Sequence, residues 1–202
     1  MTGAAKRLGR EIALQFARQG WDVAVHYGRS GQEAAQTVAE IQGLGVKAQA
    51  FQADLADEVS TNNLFKAVSN AFPHLSCLVN SASIFEYDRA SSGTPLSGKS
   101  LQAHMQVNLT APILLSQLMF EYQKSKSNRS EVIPSAIQLL DQKLINLNPD
   151  YLSYTLSKAA LLSSVELLAM DFAPHLRVVG LAPEFHYHLA IKQMMVFQRR
   201  IK

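Results

Sequence analysis

The sequence predicts a single doubly wound α/β domain built on a parallel sheet. Three observations point there. Short apolar strands alternate with helix-length amphipathic segments from end to end, the pattern of parallel βαβ units. A glycine-bearing turn leads directly into the first helix, Thr2-Gly3-Ala4-Ala5-Lys6-Arg7-Leu8-Gly9. The chain has 202 residues, 48% of them hydrophobic and 17% charged, a globular composition of one-domain length.

Each element has its own signal. Residues 6–19 carry an apolar stripe at Leu8, Ile12, Ala13, Phe16 and Ala17, closed by Gly20. Asp22–Tyr27 reads as a short strand and 31–42 as a second amphipathic helix, ended by Gly43-Leu44-Gly45. Val46–Gln52 is a strand, Glu58–Ala71 a helix and Ser76–Asn80 a strand. A helix is expected from about Gln106 to Tyr122, a strand over Ile133–Leu140, a long helix over Tyr151–Phe172 and a strand over Leu176–Leu181. Region 85–105 reads as a polar loop, and 185–202 as an atypical tail with no place in the alternation.

Composition narrows the function. The formal charge is +3, and much of the excess sits in two runs, 124–129 and 199–202, rather than along one face interleaved with aromatics. That argues against a nucleic-acid partner. No stretch approaches the ~18 apolar residues of a membrane span, and no signal-peptide core is present at the N-terminus. The single cysteine, Cys77, lies in an apolar run, so no disulfide is expected and a cytoplasmic protein is. His186 and His188 alternate in the tail but lack companion ligands, so no metal is expected.

The turn at Gly3 suits a pyrophosphate, because small residues let backbone amides approach and the helix N-terminus favours an anion. After the next strand an NAD site carries an acidic residue for the ribose hydroxyl. Here the strand ends His26-Tyr27-Gly28-Arg29-Ser30, with no carboxylate at its tip. A guanidinium fork and a hydroxyl suit a 2′-phosphate, which predicts NADPH/NADP+. Asp54, after the Val46–Gln52 strand, can accept from an adenine amino group, cap the following helix, or do both.

Tyr154 and Lys158 are four apart on a predicted helix and therefore share a face. An ammonium beside a phenol lowers its pKa, giving a proton donor for reduction of a C=O or C=N bond. Tyr151 lacks such a lysine and is expected to pack.

In order and spacing, Thr2-Gly3 to Gly9, Asp54, Asn108 and Tyr154-x-x-x-Lys158 resemble the short-chain dehydrogenases/reductases over about residues 2–183. Thr-Gly-Ala-Ala-Lys-Arg-Leu-Gly and His26-Tyr27-x-Arg29-Ser30 look more narrowly like the pteridine reductases, where the wider family commonly has glycine at the place of Arg7. Asp141, thirteen residues before Tyr154, stands where the wider family has serine, as in that subgroup. Val79-Asn80-Ser81-Ala82-Ser83-Ile84-Phe85 resembles its pterin-stacking segment. The resemblance implies a Rossmann-type fold, with Gly3, Lys6, Arg7, Leu8, His26, Tyr27, Arg29, Ser30, Asp54, Leu55, Asn80, Ala82, Ser83 and Lys158 along the cofactor. It implies that Tyr154 and Asp141 supply the proton, Lys158 holds the ribose and Asn108 supports a relay. Phe85 then stacks on a pterin-like substrate that Ser83, Asp141 and Tyr154 also touch.

The same comparison leads us to expect a sheet lacking the family's usual first and last strands, since only Met1 precedes Thr2 and the tail departs from the pattern after Pro183. Glu184 stands where the family has glycine, and Ser81 where a second asparagine is common. The competing reading is a truncated, non-catalytic relative that binds a nucleotide or a protein partner. Apolar faces near 106–122 and 151–172, including Leu114, Leu115, Leu118, Leu161, Leu162 and Leu168, suit either a homodimer or the core. A tetramer through a last strand is not expected.

Overall fold

The computed structural model describes residues 1–91, 96–126 and 133–183, and the backbone of 194–197. The sequence features at Glu184 to His188, at 127–129 and at 199–202 lie outside the described residues.

The elements follow the expected order: α1 (Arg7–Arg18), β1 (Val23–Tyr27), α2 (Gly31–Gly43), β2 (Ala48–Gln52), α3 (Glu58–Ala71), β3 (Cys77–Asn80), α4 (Gly98–Met105), α5 (Ala111–Lys124), β4 (Ser135–Leu139), α6 (Leu152–Phe172), β5 (Arg177–Pro183) and β6 (Met194–Phe197). β1 pairs in parallel with β2, and β3, β4 and β5 form a second parallel run. Between the two runs lies the amino-terminal segment. Thr2 N–H donates to Val79 O at 2.9 Å, while Met1 O accepts from His26 N–H at 3.0 Å and Ala4 N–H donates to His26 O at 3.0 Å. From this junction the chain winds one way through β1 and β2 and the other way through β3 to β5. It is the switch point at which such sheets place ligands, beyond the carboxyl ends of their strands.

Alternation along the strands builds the two sides of the core. Leu78, Ala136 and Val178 face Leu64, Phe65, Leu115 and Met119 of α3 and α5. Val79, Leu139 and Leu181 face the other way, toward Ile12 and Phe16 of α1. Leu115 and Leu161 of the proposed dimer faces are 2% and 1% exposed and belong to the core, whereas Leu162 is 37% exposed.

At the amino ends of the strands, away from Tyr154, the two runs stay apart around a cavity of about 340 Å³ lined by Met1, Phe16, Trp21, Ala24, Leu75 and Cys77. The buried Met1 amino group donates to Ala24 O at 2.9 Å, and burial pushes its pKa down to about 6. Burial pushes the Cys77 thiol up to about 11, which suits a packed strand residue and not a nucleophile.

Three expectations need correction. Region 85–105 is not all loop, because its end forms α4, capped by the Ser97 side chain accepting from Ser100 N–H. The helix expected from Gln106 instead continues out of α4 through a π-helical stretch, Gln106–Thr110, into α5. Pro112 has no N–H to offer the carbonyl of Asn108, and the ladder widens there, with Ala111 N–H bonding Gln106 O. Part of the tail does have a place: β6 pairs antiparallel with β5, Gly180 opposite Phe197 and Pro183 opposite Met194.

Candidate active site

The carboxyl ends of the strands bring the expected residues to one rim. Tyr27 to Ser30 follow β1, Asp54 follows β2, Ser81 to Phe85 follow β3, and Asp141 follows β4. At the first of these ends, the Gly3 turn is held from two sides. Thr2 Oγ1 accepts from Ser81 N–H and Ala82 N–H, each at 3.0 Å. Gly3 N–H donates to His26 Nδ1 at 3.1 Å. Gly3 has φ +61°, and a Cβ there would lie 2.7 Å from Ala82 Cα, so only glycine fits this seat. Arg7 also adopts the left-handed region at φ 54°, which explains why a glycine is at home in that position. α1 begins with no side-chain cap and no acidic residue in its first turn, so its positive end is uncompensated.

Lys6, Arg7, Leu8, Arg29, Asp54 and Ser83 are exposed, Tyr27, Ser30 and Ala82 are half-buried, and Lys6 lies 3.9 Å from Glu33. Among the described residues Arg29 forms no ion pair. Asp54 does not cap α3. Asp57 does, accepting from Val59 and Ser60 N–H, while Asp54 Oδ1 accepts from Ala56 N–H at 2.9 Å.

Three of the residues expected along the cofactor turn their side chains inward. Leu55 is 7% exposed and part of the core. Asn80 donates to Gln138 Oε1 at 3.0 Å and to Pro112 O at 3.3 Å, inside the sheet. His26 is 5% exposed, its second ring nitrogen 3.2 Å from Ala53 O. Burial pushes His26 down to about 4 from an ordinary 6.5, against the opposing pull of its bond to Ala53. The unfolded chain therefore takes up this proton first as pH falls. Stability from the neutral ring is fully present above pH 6.5 and is lost toward pH 4, on the order of 3 kcal/mol in all. Urea unfolding across that window should show the decline in the parent chain and a flatter profile in His26→Gln.

At the other end of the rim, Tyr154 Oη donates to Asp141 Oδ2 at 2.6 Å. Burial, reinforced by the bond to Asp141 and its charge, holds the phenol well above the usual tyrosine range. This reverses the expected direction, because burial dominates and Asp141 adds to it. Lys158 Nζ, 5.8 Å from the Tyr154 ring centroid, donates to Leu139 O at 2.6 Å. Burial pushes its pKa down to about 8, with Asp141 opposing.

Asn108 sits on the π-helical stretch and is fully buried. Its Oδ1 accepts from Ile84 N–H at 2.7 Å, and its Nδ2 donates to Ile84 O and to Ser157 Oγ, each at 3.0 Å. Through these bonds the Asn108 amide holds the segment that carries Phe85. Phe85 is 54% exposed, stacks on Tyr151 at 4.1 Å and 9°, and meets Tyr154 edge-on at 4.7 Å.

Sequence reasoning missed several members of this site. Tyr151 packs, and it does so within the site: it takes the left-handed conformation at φ 56° at the start of α6, stacks on Phe85, and is met edge-on by Tyr87 at 5.2 Å. Asp88 Oδ1 accepts from Ser153 N–H at 3.0 Å, tying the loop before α4 to the first turn of α6. An Asp accepting at a helix start is a recognisable signal, but its distance in sequence from Ser153 hid it. Among the described residues no group of three potential metal ligands is present, and no helix is long and apolar enough to cross a membrane.

Comparison with known proteins follows this geometry. A family model described as short chain dehydrogenase matches residues 1–187. A 3-oxoacyl-(acyl-carrier-protein) reductase of Synechocystis is 30% identical over 190 residues, covering 92% of this chain and 72% of its own length. The corresponding protein of Staphylococcus aureus is 43% identical over 84 residues, 42% of this chain, so the match spans about a third of that relative, 34%. Among solved structures, FolM alternative dihydrofolate reductase 1 from Brucella suis, in complex with NADP, has a TM-score of 0.80 at 33% identity, covering 90% of this chain and 72% of that one. A short chain dehydrogenase from Burkholderia cenocepacia, also with NADP, has a TM-score of 0.77 at 31% identity, covering 88% and 68%.

Proposed function

This chain belongs to the short chain dehydrogenase family, and from that premise we propose that it is an NADPH-dependent reductase acting on a pterin-like heterocycle. The observation that carries the proposal is the Tyr154–Asp141 pair at 2.6 Å with Phe85 beside it. The Tyr154 hydroxyl carries a proton within hydrogen-bond reach of Asp141, and a half-exposed aromatic ring next to it suits a flat substrate.

The residues present fit the dinucleotide. The Gly3 seat, which a Cβ would fill, and the uncapped start of α1 suit a pyrophosphate. Arg29 and Ser30 would take the 2′-phosphate, Asp54 the adenine and Lys158 the ribose. When bound, NADPH supplies the hydride. The protein contributes the proton: Tyr154 Oη gives it to the reduced centre, and Asp141, sharing that proton at 2.6 Å, steadies the donor and returns it from solvent. Asn108 fixes the Ile84 backbone and, with it, the position of Phe85.

The FolM neighbour supports the pterin-like substrate, while the Synechocystis relative supports a second reading, reduction of a 3-oxoacyl thioester. Asp141, where serine is usual, favours the first. Initial rates of NADPH oxidation with a 7,8-dihydropterin and with an acetoacetyl thioester separate the two. We expect kcat/KM at least tenfold higher for the pterin. The reverse order would overturn the substrate assignment, and inactivity on both would favour the non-catalytic, nucleotide-binding alternative.

A further inference from the structure

We infer that His26 is a positioning residue for the cofactor crevice: its neutral ring clamps the phosphate-side turn at Gly3 to the adenine-side turn at Ala53. The inference rests on the dinucleotide reading above, but it concerns a residue whose side chain faces away from any ligand.

All four polar groups of His26 are committed. Its backbone N–H donates to Met1 O and its carbonyl accepts from Ala4 N–H, both at 3.0 Å. In the ring, Gly3 N–H can only donate, so Nδ1 must offer a lone pair at 3.1 Å. That assigns the ring proton to Nε2, which donates to Ala53 O at 3.2 Å. One tautomer therefore serves both partners, and an imidazolium would set N–H against N–H at Gly3. The surroundings suit the neutral form, since the ring is 5% exposed.

The clamp matters because the two turns belong to different strands. Gly3 sits at the switch point, while Ala53 immediately precedes Asp54 at the end of β2. Thr2 Oγ1 ties the Gly3 turn to the β3 side, at Ser81 and Ala82. His26 makes the corresponding tie on the β2 side. Without it, the turns at Gly3 and Ala53 keep only their backbone ties to β1, Ala4 N–H to His26 O and Ala53 N–H to Tyr27 O, and lose the side-chain link between them. A misplaced binding group costs affinity for the ligand that spans both.

The test uses three variants of the full chain. His26→Phe fills the space but leaves Gly3 N–H and Ala53 O unpaired. His26→Asn keeps an acceptor near the place of Nδ1, and His26→Gln keeps a donor near the place of Nε2. We expect Phe to weaken NADPH binding by fluorescence titration on the order of tenfold to a hundredfold. Its KM for NADPH should rise in step, with kcat at saturation within about twofold of the parent. Asn should recover most of the affinity, and more than Gln. Exchange of the Gly3 amide with deuterium in the cofactor-free protein should be fast in Phe and slow in Asn. Should Phe fail to fold, the Asn–Gln order and the exchange result still decide.

Parent-like NADPH affinity in Phe, or a Gly3 amide equally protected in all three, would overturn the clamp. Absence of NADPH binding to the parent would instead sink the functional reading, while Gly3 exchange would still report on the clamp.

Discussion

Tyr154→Phe is expected to lower kcat for pterin reduction by about 10²- to 10⁴-fold, the usual scale of general acid catalysis, while NADPH affinity changes less than about twofold. The substitution removes one oxygen. In the structure that oxygen touches Asp141, at 2.6 Å, and makes no bond to the Gly3 turn. Ring packing against Phe85 should survive, since edge-on contact at 4.7 Å needs no hydroxyl. Steady-state kinetics together with a fluorescence titration of NADPH check the split. Equal loss of binding and turnover would mean that Tyr154 holds the cofactor rather than the proton.

Arg29→Ala is expected to weaken NADPH by about tenfold to a hundredfold, the scale of a charge-assisted hydrogen bond to phosphate, with little change for NADH. Arg29 is exposed at the end of β1, and among the described residues it has no ion pair to give up on binding. No acidic residue stands at that strand tip to prefer a ribose hydroxyl. Parallel titrations with the two dinucleotides measure the ratio. An unchanged preference would move the 2′-phosphate site elsewhere, with Lys6 and Arg7 as the remaining nearby cations.

Much of this architecture is legible in the sequence, for a physical reason: α1 and α3 have apolar periods, α6 is a long helix-forming apolar segment and most strands are short and apolar, so local pattern and tertiary burial agree. α4 escaped because its eight residues are mostly polar, with His104 buried and hydrogen-bonded rather than apolar. The π-helical stretch escaped because its cause is a missing N–H at Pro112 acting on a carbonyl four residues earlier. In the site, spacing alone places Tyr154 and Lys158 on one face. It cannot say that burial, with Asp141 adding to it, would set the state of the phenol, because both depend on how the segment after β4 packs on α6. Motifs likewise do not show direction. His26 and Asn80 stand in the right segments, yet their side chains serve the interior. The packing partner of Tyr151 was hidden because Phe85 lies far away in sequence.

The most direct measurement of the central claim is titration of NADPH into the purified full chain, followed by fluorescence, with a thermal melt at each cofactor concentration. The account predicts saturable binding and a melting temperature that rises with NADPH. A ligand at a hundred times its Kd adds about 2.7 kcal/mol of stability, and NADH should add less at the same concentration. A flat titration with an unmoved melt would contradict the account, because the Gly3 seat, the open start of α1 and Arg29 would then form no dinucleotide site.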